Sequence, residues 1–244
     1  MKVKYYIMKK KIIIIIIIIL FAGILAYGLY YVNDYYHADE TAQKYINGTD
    51  NVSVIKTSNG LLLDGPGNDT ALIFYPGAKI EYTSYLPLFT QVSSEGIDCF
   101  LVDMPFKLAL LGKDCADDII NEYDYDHYVM CGHSLGGFVA SQYVNETNNT
   151  DALILLAGYS QKSIDKPVLS IYGSQDEVLN METYKDNHQF IEKNLTEVVI
   201  DGGNHEQIGN YGIHPGEDGA AKITPQEQQS EMAQEIIRFI DNIN

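Results

Sequence analysis

Hydrophobic positions follow two regimes along this chain. From Ile12 to Val32 no residue is charged and the run includes eight consecutive isoleucines, whereas beyond Val52 short apolar runs alternate with stretches whose apolar residues recur every three or four positions. At about 1.5 Å per residue, the first regime is a helix of about 31 Å, the thickness of a bilayer's hydrocarbon core, so the pattern predicts a membrane-spanning helix over 12–32. A secretory signal has a shorter apolar core of about 7–15 residues, which makes this segment a retained signal-anchor. The small residues of Ala26-Tyr27-Gly28 leave signal cleavage and secretion as the alternative. Lys2, Lys4, Lys9, Lys10 and Lys11 precede the span and no lysine closely follows it, which predicts a cytoplasmic N-terminus and an extracytoplasmic remainder. Tyr27, Tyr30, Tyr31, Tyr35 and Tyr36 cluster where the helix would leave the bilayer, the depth that amphipathic rings prefer.

In the second regime, Val52–Lys56 and Leu61–Asp64 flank Ser58-Asn59-Gly60 and predict a hairpin. Apolar runs at 71–75, 97–102, 126–131, 152–156, 168–172 and 197–200 predict strands buried on both faces. Helical spacing separates several of them: Tyr85, Leu88, Phe89 and Val92, then 117–123, then Leu135, Phe138, Val139 and Tyr143. Such alternation predicts an α/β fold, a mostly parallel sheet with helices on both faces. Thr224-Pro225-Gln226-Glu227 is a capping box with proline at the first helical position, opening a last helix that buries Met232, Ile236, Phe239 and Ile240. The expected organisation is a basic tail over 1–11, a signal-anchor over 12–32, a juxtamembrane segment over 33–50 and an α/β domain over 51–244.

Charge narrows the partners. Once the five N-terminal lysines are set aside, 11 basic residues face 33 acidic ones, a formal charge of −22 on the remainder. Nucleic acid is excluded as an expected partner, and the acidity is read as solubility of an exported domain. Cys99, Cys115 and Cys131 are odd in number and have no metal-ligand spacing, so they are read as unpaired. His214, Glu217 and Asp218 share a loop without recognisable metal spacing, and no metal or cofactor is expected.

The chemistry starts at Gly132-His133-Ser134-Leu135-Gly136, which follows an apolar run and opens a helical stretch. A strand-to-helix turn this tight excludes side chains two residues either side of its apex, so the glycines mark a nucleophile elbow with Ser134 exposed. A serine hydroxyl needs an imidazole to take its proton and a carboxylate to orient that imidazole. In this architecture those groups lie in loops at the carboxyl ends of strands. Asp176 follows the run 168–172, and His205 follows 197–200. His37 is beside the membrane, His127 begins a strand, His133 points away from the nucleophile, His188 is mid-helix and His214 lies farther along its loop. The order Ser134, Asp176, His205 is the one expected of a nucleophile elbow. Two backbone donors are needed for the oxyanion, and the expected ones are Leu135, at the start of the helix, and Ala78, after a turn made at Gly77, with Lys79 as the fallback.

Together with Tyr75-Pro76-Gly77-Ala78-Lys79, Val102-Asp103-Met104-Pro105-Phe106 and His205-Glu206-Gln207 followed by Gly209-Asn210-Tyr211-Gly212, these residues make the chain resemble the alpha/beta-hydrolase superfamily over about 52–242. It is similar to the small lidless group called alpha/beta hydrolase fold-5 proteins. The resemblance implies acyl hydrolysis without a cofactor, with Ser134, Asp176 and His205 as nucleophile, acid and base. Only about 40 residues separate Ser134 from Asp176, which leaves no room for a cap domain. The apolar run Met104–Leu111 is expected either to line the pocket or to pack as a short core helix, and 211–222 to form a rim beside His205.

The expected function is therefore a membrane-anchored serine esterase acting on a small-molecule ester or acyl substrate. Two alternatives are a tethered ligand-binding module without turnover, and an acyltransferase or thioesterase. Oligomeric state is not legible.

Overall fold

The computed structural model describes residues 2–67, 69–214 and 216–243. The chain divides into two compact units, one ending at Tyr35 and one beginning at Tyr36. The first holds a single helix, α1 (Lys2–Asn33), whose segment Lys9–Asn33 has mean hydropathy 3.1 and no buried residue. The length and composition of this helix suffice to cross a bilayer.

The second unit is built on an eight-stranded sheet. Its strands are β1 (Ser53–Thr57), β2 (Gly60–Asp64), β3 (Thr70–Tyr75), β4 (Ile97–Val102), β5 (His127–His133), β6 (Ala152–Leu156), β7 (Val168–Gly173) and β8 (Leu195–Ile200). Their spatial order is β1-β2-β4-β3-β5-β6-β7-β8. The β1–β2 hairpin adds an antiparallel edge to β4, and all later pairings are parallel.

Alternation along each strand feeds two separate cores. Leu72 and Phe74 of β3, with Val129 and Cys131 of β5, join one face, which α3 (Leu86–Ser93) and α7 (Pro225–Ile243) cover through Leu88, Phe89, Val92, Met232, Ile236 and Ile240. Ala71, Ile73 and Tyr75, with Tyr128 and Met130, join the other, covered by α4 (Cys115–Glu122) and α5 (Leu135–Glu146) through Ala116, Ile119, Val139, Ala140, Tyr143 and Val144. The capping box holds: Glu227 takes the Thr224 amide at 2.8 Å and Thr224 Oγ1 takes the Glu227 amide at 3.2 Å. Cys99, Cys115 and Cys131 are free thiols.

The chain leaves β3 for β4 on one side and returns to β5 on the other. The carboxyl end of β3 is therefore a switch point, where loops diverge and leave a crevice. Ahead of the sheet, Tyr36 bridges to Ile80, and Asp39 caps the short helix α2 (Glu40–Gln43), burying Ala42. Residues 36–43 thus pack on the loops that follow β3.

Candidate active site

Sterics dictate the elbow. Ser134 has φ 53° and ψ −119°, a left-handed conformation that costs about 1–3 kcal/mol for a residue with a side chain and persists only where its surroundings enforce it. They do so here: a Cβ on Gly132 would lie 2.4 Å from the Gly136 carbonyl carbon, and one on Gly136 would lie 2.1 Å from the Tyr75 carbonyl oxygen. The two glycines let α5 start directly against the end of β3, with Gly136 packed on the Tyr75 and Pro76 carbonyls. Neither the Leu135 nor the Ala78 amide donates to an acceptor among the described residues. The Lys79 amide is committed to the Lys107 carbonyl at 2.8 Å, which removes the fallback donor.

Gly77 does not make the turn. Lys79 carries the positive φ, 57°, while a Cβ on Gly77 would meet Ile80 Cδ1 at 2.8 Å and His133 Nδ1 at 2.9 Å. The glycine is required by close packing on the side of the loop away from solvent. His188 caps the end of α6 (Met181–Asn187) and opens a 3₁₀ turn over His188–Phe190, so it is not mid-helix.

Asp176 follows β7 and His205 follows β8. His205 Nδ1 lies 2.9 Å from Asp176 Oδ2, with the two side chains 8% and 1% exposed. The other carboxylate oxygen accepts the Val178 amide at 2.9 Å and the Leu179 amide at 2.7 Å, so the acid is oriented by its own loop. Ser134 and His205 face one pocket of about 360 Å³ whose walls include Leu135, Phe138, Ala157, Tyr159 and Leu179. Ser134 Oγ makes no hydrogen bond to His205 or to any other described residue.

Two supports lay outside the sequence reading. Asp218 Oδ2 accepts the amides of His205 at 2.7 Å and Glu206 at 2.9 Å, while its Oδ1 accepts the Glu177 amide at 3.0 Å. One carboxylate therefore ties the acid loop to the histidine loop. The second support lies beneath the site. The Gly77 amide donates to the Tyr85 hydroxyl at 3.1 Å, and that hydroxyl lies 2.7 Å from His133 Nδ1. With no other acceptor present, the phenolic proton goes to Nδ1, and the imidazole proton then sits on Nε2, which has no partner among the described residues. The His133 ring also packs 4.5 Å from that of His205. Burial, and then the neighbouring His205, hold the His133 pKa well below its ordinary value, so it stays neutral.

The loop over 211–222 does border the histidine loop. Glu206, His214 and Glu217 each bring one ligand atom within 4.8 Å of the others, but these atoms already serve a protein network. Glu206 accepts from the His214 amide and lies 3.2 Å from its Nδ1, and Tyr36 donates to Glu217 at 2.6 Å. Met104–Leu111 meets neither expectation. It forms two single 3₁₀ turns, burying Met104 and Ala109 and exposing Phe106, Leu110 and Leu111, none of which lines the Ser134 pocket.

Residues 71–231 match the model of the alpha/beta hydrolase family, about two thirds of the sequence. The chain belongs to the alpha/beta hydrolase family. Solved structures share the fold of this alpha/beta hydrolase. Carboxyl esterase 2 of Tuber melanosporum superposes with a TM-score of 0.63 at 10% identity, covering 86% of this chain and 92% of its own. Est1E of Butyrivibrio proteoclasticus gives 0.54 at 16%, covering 79% and 100%. Thermogutta terrifontis esterase 2, in a form phosphonylated by cyclosarin, gives 0.55 at 15%, covering 78% and 93%. No curated protein matches the sequence.

Proposed function

We propose that this alpha/beta hydrolase is a membrane-anchored serine esterase with Ser134, His205 and Asp176 as its triad. One observation carries the reading: the carboxylate of Asp176 holds His205 Nδ1 at 2.9 Å while the same imidazole shares a pocket with a serine in elbow conformation. The esterase neighbours support the substrate class.

In the proposed reaction Ser134 Oγ attacks the ester carbonyl carbon as its proton passes to His205 Nε2. The Asp176 carboxylate stabilises the imidazolium that forms. Charge developing on the carbonyl oxygen is met by the amides of Ala78 and Leu135, which have no competing acceptor among the described residues. Collapse breaks the bond to the alcohol, which leaves with the proton from His205, and water then cleaves the acyl-serine by the same route. The hydrogen bond between Ser134 and His205 forms on substrate binding in this reading, since catalytic hydrogen bonds often tighten in the Michaelis complex. In this reading α1 spans the membrane with its lysines inside and the hydrolase domain outside.

A fluorophosphonate probe tests the proposal. Full-length protein in detergent should be labelled at Ser134, and Ser134→Ala should not be labelled at all. An unlabelled wild type would refute the serine hydrolase reading.

A further inference from the structure

Resting on the membrane-anchored esterase reading, we propose that the loop Met104–Leu111 docks into the outer leaflet of the bilayer that holds α1, and that the esters reaching Ser134 are acyl esters of membrane lipids.

Covalent reach is the first argument. Only Asp34 and Tyr35 separate the end of α1 from Tyr36, so Tyr36 stays within three Cα–Cα steps, about 11 Å, of that helix end. Once α1 spans the membrane, Tyr36 lies at headgroup depth. Tyr36 is hydrogen-bonded on both sides to the loop that carries Ala78: its amide donates to the Lys79 carbonyl at 2.7 Å, and its carbonyl accepts the Glu81 amide at 2.9 Å. The Lys79 amide in turn donates to the Lys107 carbonyl. The chain therefore emerges from the bilayer two backbone hydrogen bonds away from the centre of the Met104–Leu111 loop, at the same carboxyl edge of the sheet as Ser134.

What that loop presents is the second argument. Phe106, Leu110 and Leu111 are 61%, 56% and 58% exposed within six residues, although Met104 and Ala109 on either side of Phe106 are buried. Phe106 and Lys107 both take left-handed backbone angles, φ 53° and 57°, a conformation disfavoured for residues with bulky side chains. Their exposure is not explained by substrate contact, since none of the three lines the Ser134 pocket. In a body with a formal charge of −22, the loop contains no acid, and its one charge, Lys107, is paired with the adjacent Asp103 at 2.6 Å. An apolar loop with no acid of its own, flanked by Asp103 and Asp114 only at its two ends, suits an interface with lipid, where apolar side chains sink about 5–10 Å into the headgroup boundary. With the carboxyl edge against the leaflet, the Ser134 pocket opens toward lipid acyl esters.

The chain has no tryptophan, so one introduced at a chosen site is the sole indole fluorophore. Full-length Phe106→Trp and, as a control, Glu95→Trp at the opposite edge of the sheet would be reconstituted in phosphatidylcholine vesicles carrying a nitroxide at acyl carbon 5. Docking predicts blue-shifted emission and about threefold stronger quenching for Phe106→Trp than for Glu95→Trp. Equal quenching at the two sites would overturn it. In the same vesicles, replacing Phe106, Leu110 and Leu111 together by serine should lower phospholipid ester hydrolysis about tenfold, with hydrolysis of soluble p-nitrophenyl acetate held within about twofold. Loss of both activities in parallel, or of neither, would overturn the lipid-substrate half. Should wild type cleave neither ester and take no phosphonate at Ser134, the esterase reading itself fails, whereas the quenching still reports docking separately.

Discussion

Removing a single oxygen at Tyr85 tests whether the loop carrying Ala78 is held from below. Tyr85 is fully buried, and its hydroxyl serves both the Gly77 amide and His133 Nδ1. Tyr85→Phe keeps the ring packing against Phe74 but leaves those two groups buried without a partner. Each such group costs about 1–3 kcal/mol, so the variant should lose about 2–6 kcal/mol. For a domain of this size that is a fall in Tm of about 5–20 °C. Losing one oxyanion donor outright costs about 10²–10³ in kcat; here the Ala78 amide remains but is less well held, and about tenfold is expected. KM should change little, because Tyr85 is not a wall of the Ser134 pocket. Thermal unfolding and steady-state hydrolysis of a chromogenic ester, both on full-length protein in detergent, give the two numbers. Phe239→Leu in α7 is the control, expected to lose about 1–2 kcal/mol without lowering kcat. A Tyr85→Phe enzyme with unchanged Tm and kcat would refute the support assigned to this hydroxyl, and an equal kcat loss in Phe239→Leu would show that general loosening, not loop position, is being read.

Asp176→Asn should keep the fold but lower kcat by about 10⁴, since an amide cannot stabilise the imidazolium as a carboxylate does; comparable turnover would remove Asp176 from the triad. His133 is neutral in the folded protein with its pKa depressed by burial, whereas in the unfolded chain it titrates near its ordinary value of 6.5. Below that value the unfolded state binds the extra proton, so wild type should lose stability as pH falls, by about 1.4 kcal/mol per pH unit relative to His133→Asn; parallel stability–pH curves for the two would contradict this. Gly136→Ala forces a methyl to within 2.1 Å of the Tyr75 carbonyl oxygen and should cost about 3 kcal/mol or more, read as loss of folded protein or of cooperative unfolding at the wild-type Tm. Asp218→Ala frees three backbone amides that join the acid and histidine loops, so kcat should fall about tenfold or more and stability by about 2–4 kcal/mol; activity equal to wild type would show the loops are held by other means.

Strands buried on both faces were legible because an apolar run has no alternative fate in a parallel sheet: β3, β4 and β6 are buried at every position. The edge strand β8 was legible only from Glu197, since Leu195, Thr196 and Glu197 are not buried and carry no apolar run. The elbow could be read because a steric requirement for glycine is written locally. Supports that act across distance leave no such trace. Tyr85 and His133 are 48 residues apart and nothing local marks their contact. Asp218 read only as a poor metal ligand because its partners are backbone amides, which every residue but proline possesses. The loop over 104–111 shows the converse: hydrophobicity was plain, yet sequence alone does not say which apolar side chains face the core and which face outward.

These distant supports bear on how the site works. Beyond the side-chain pair itself, the separation between Asp176 and His205 is held by backbone: the Gln175 amide donates to the Gly203 carbonyl at 2.8 Å, the Ser174 amide to the Ile200 carbonyl at 2.9 Å, and Asp218 closes the ring between Glu177 and His205. From the other side, Gln228 of α7 pins Asn204 through both its backbone groups, at 2.9 and 2.7 Å. An imidazole held in this way has little freedom left to lose when substrate arrives. Ser134 Oγ has no hydrogen-bond partner among the described residues and sits on a backbone whose strain fixes its direction but not its side-chain rotamer. Under the proposed mechanism, motion at the reacting centre is thus confined to the serine, the group that changes partners during acyl transfer, while the loops around it hold the imidazole and its carboxylate still.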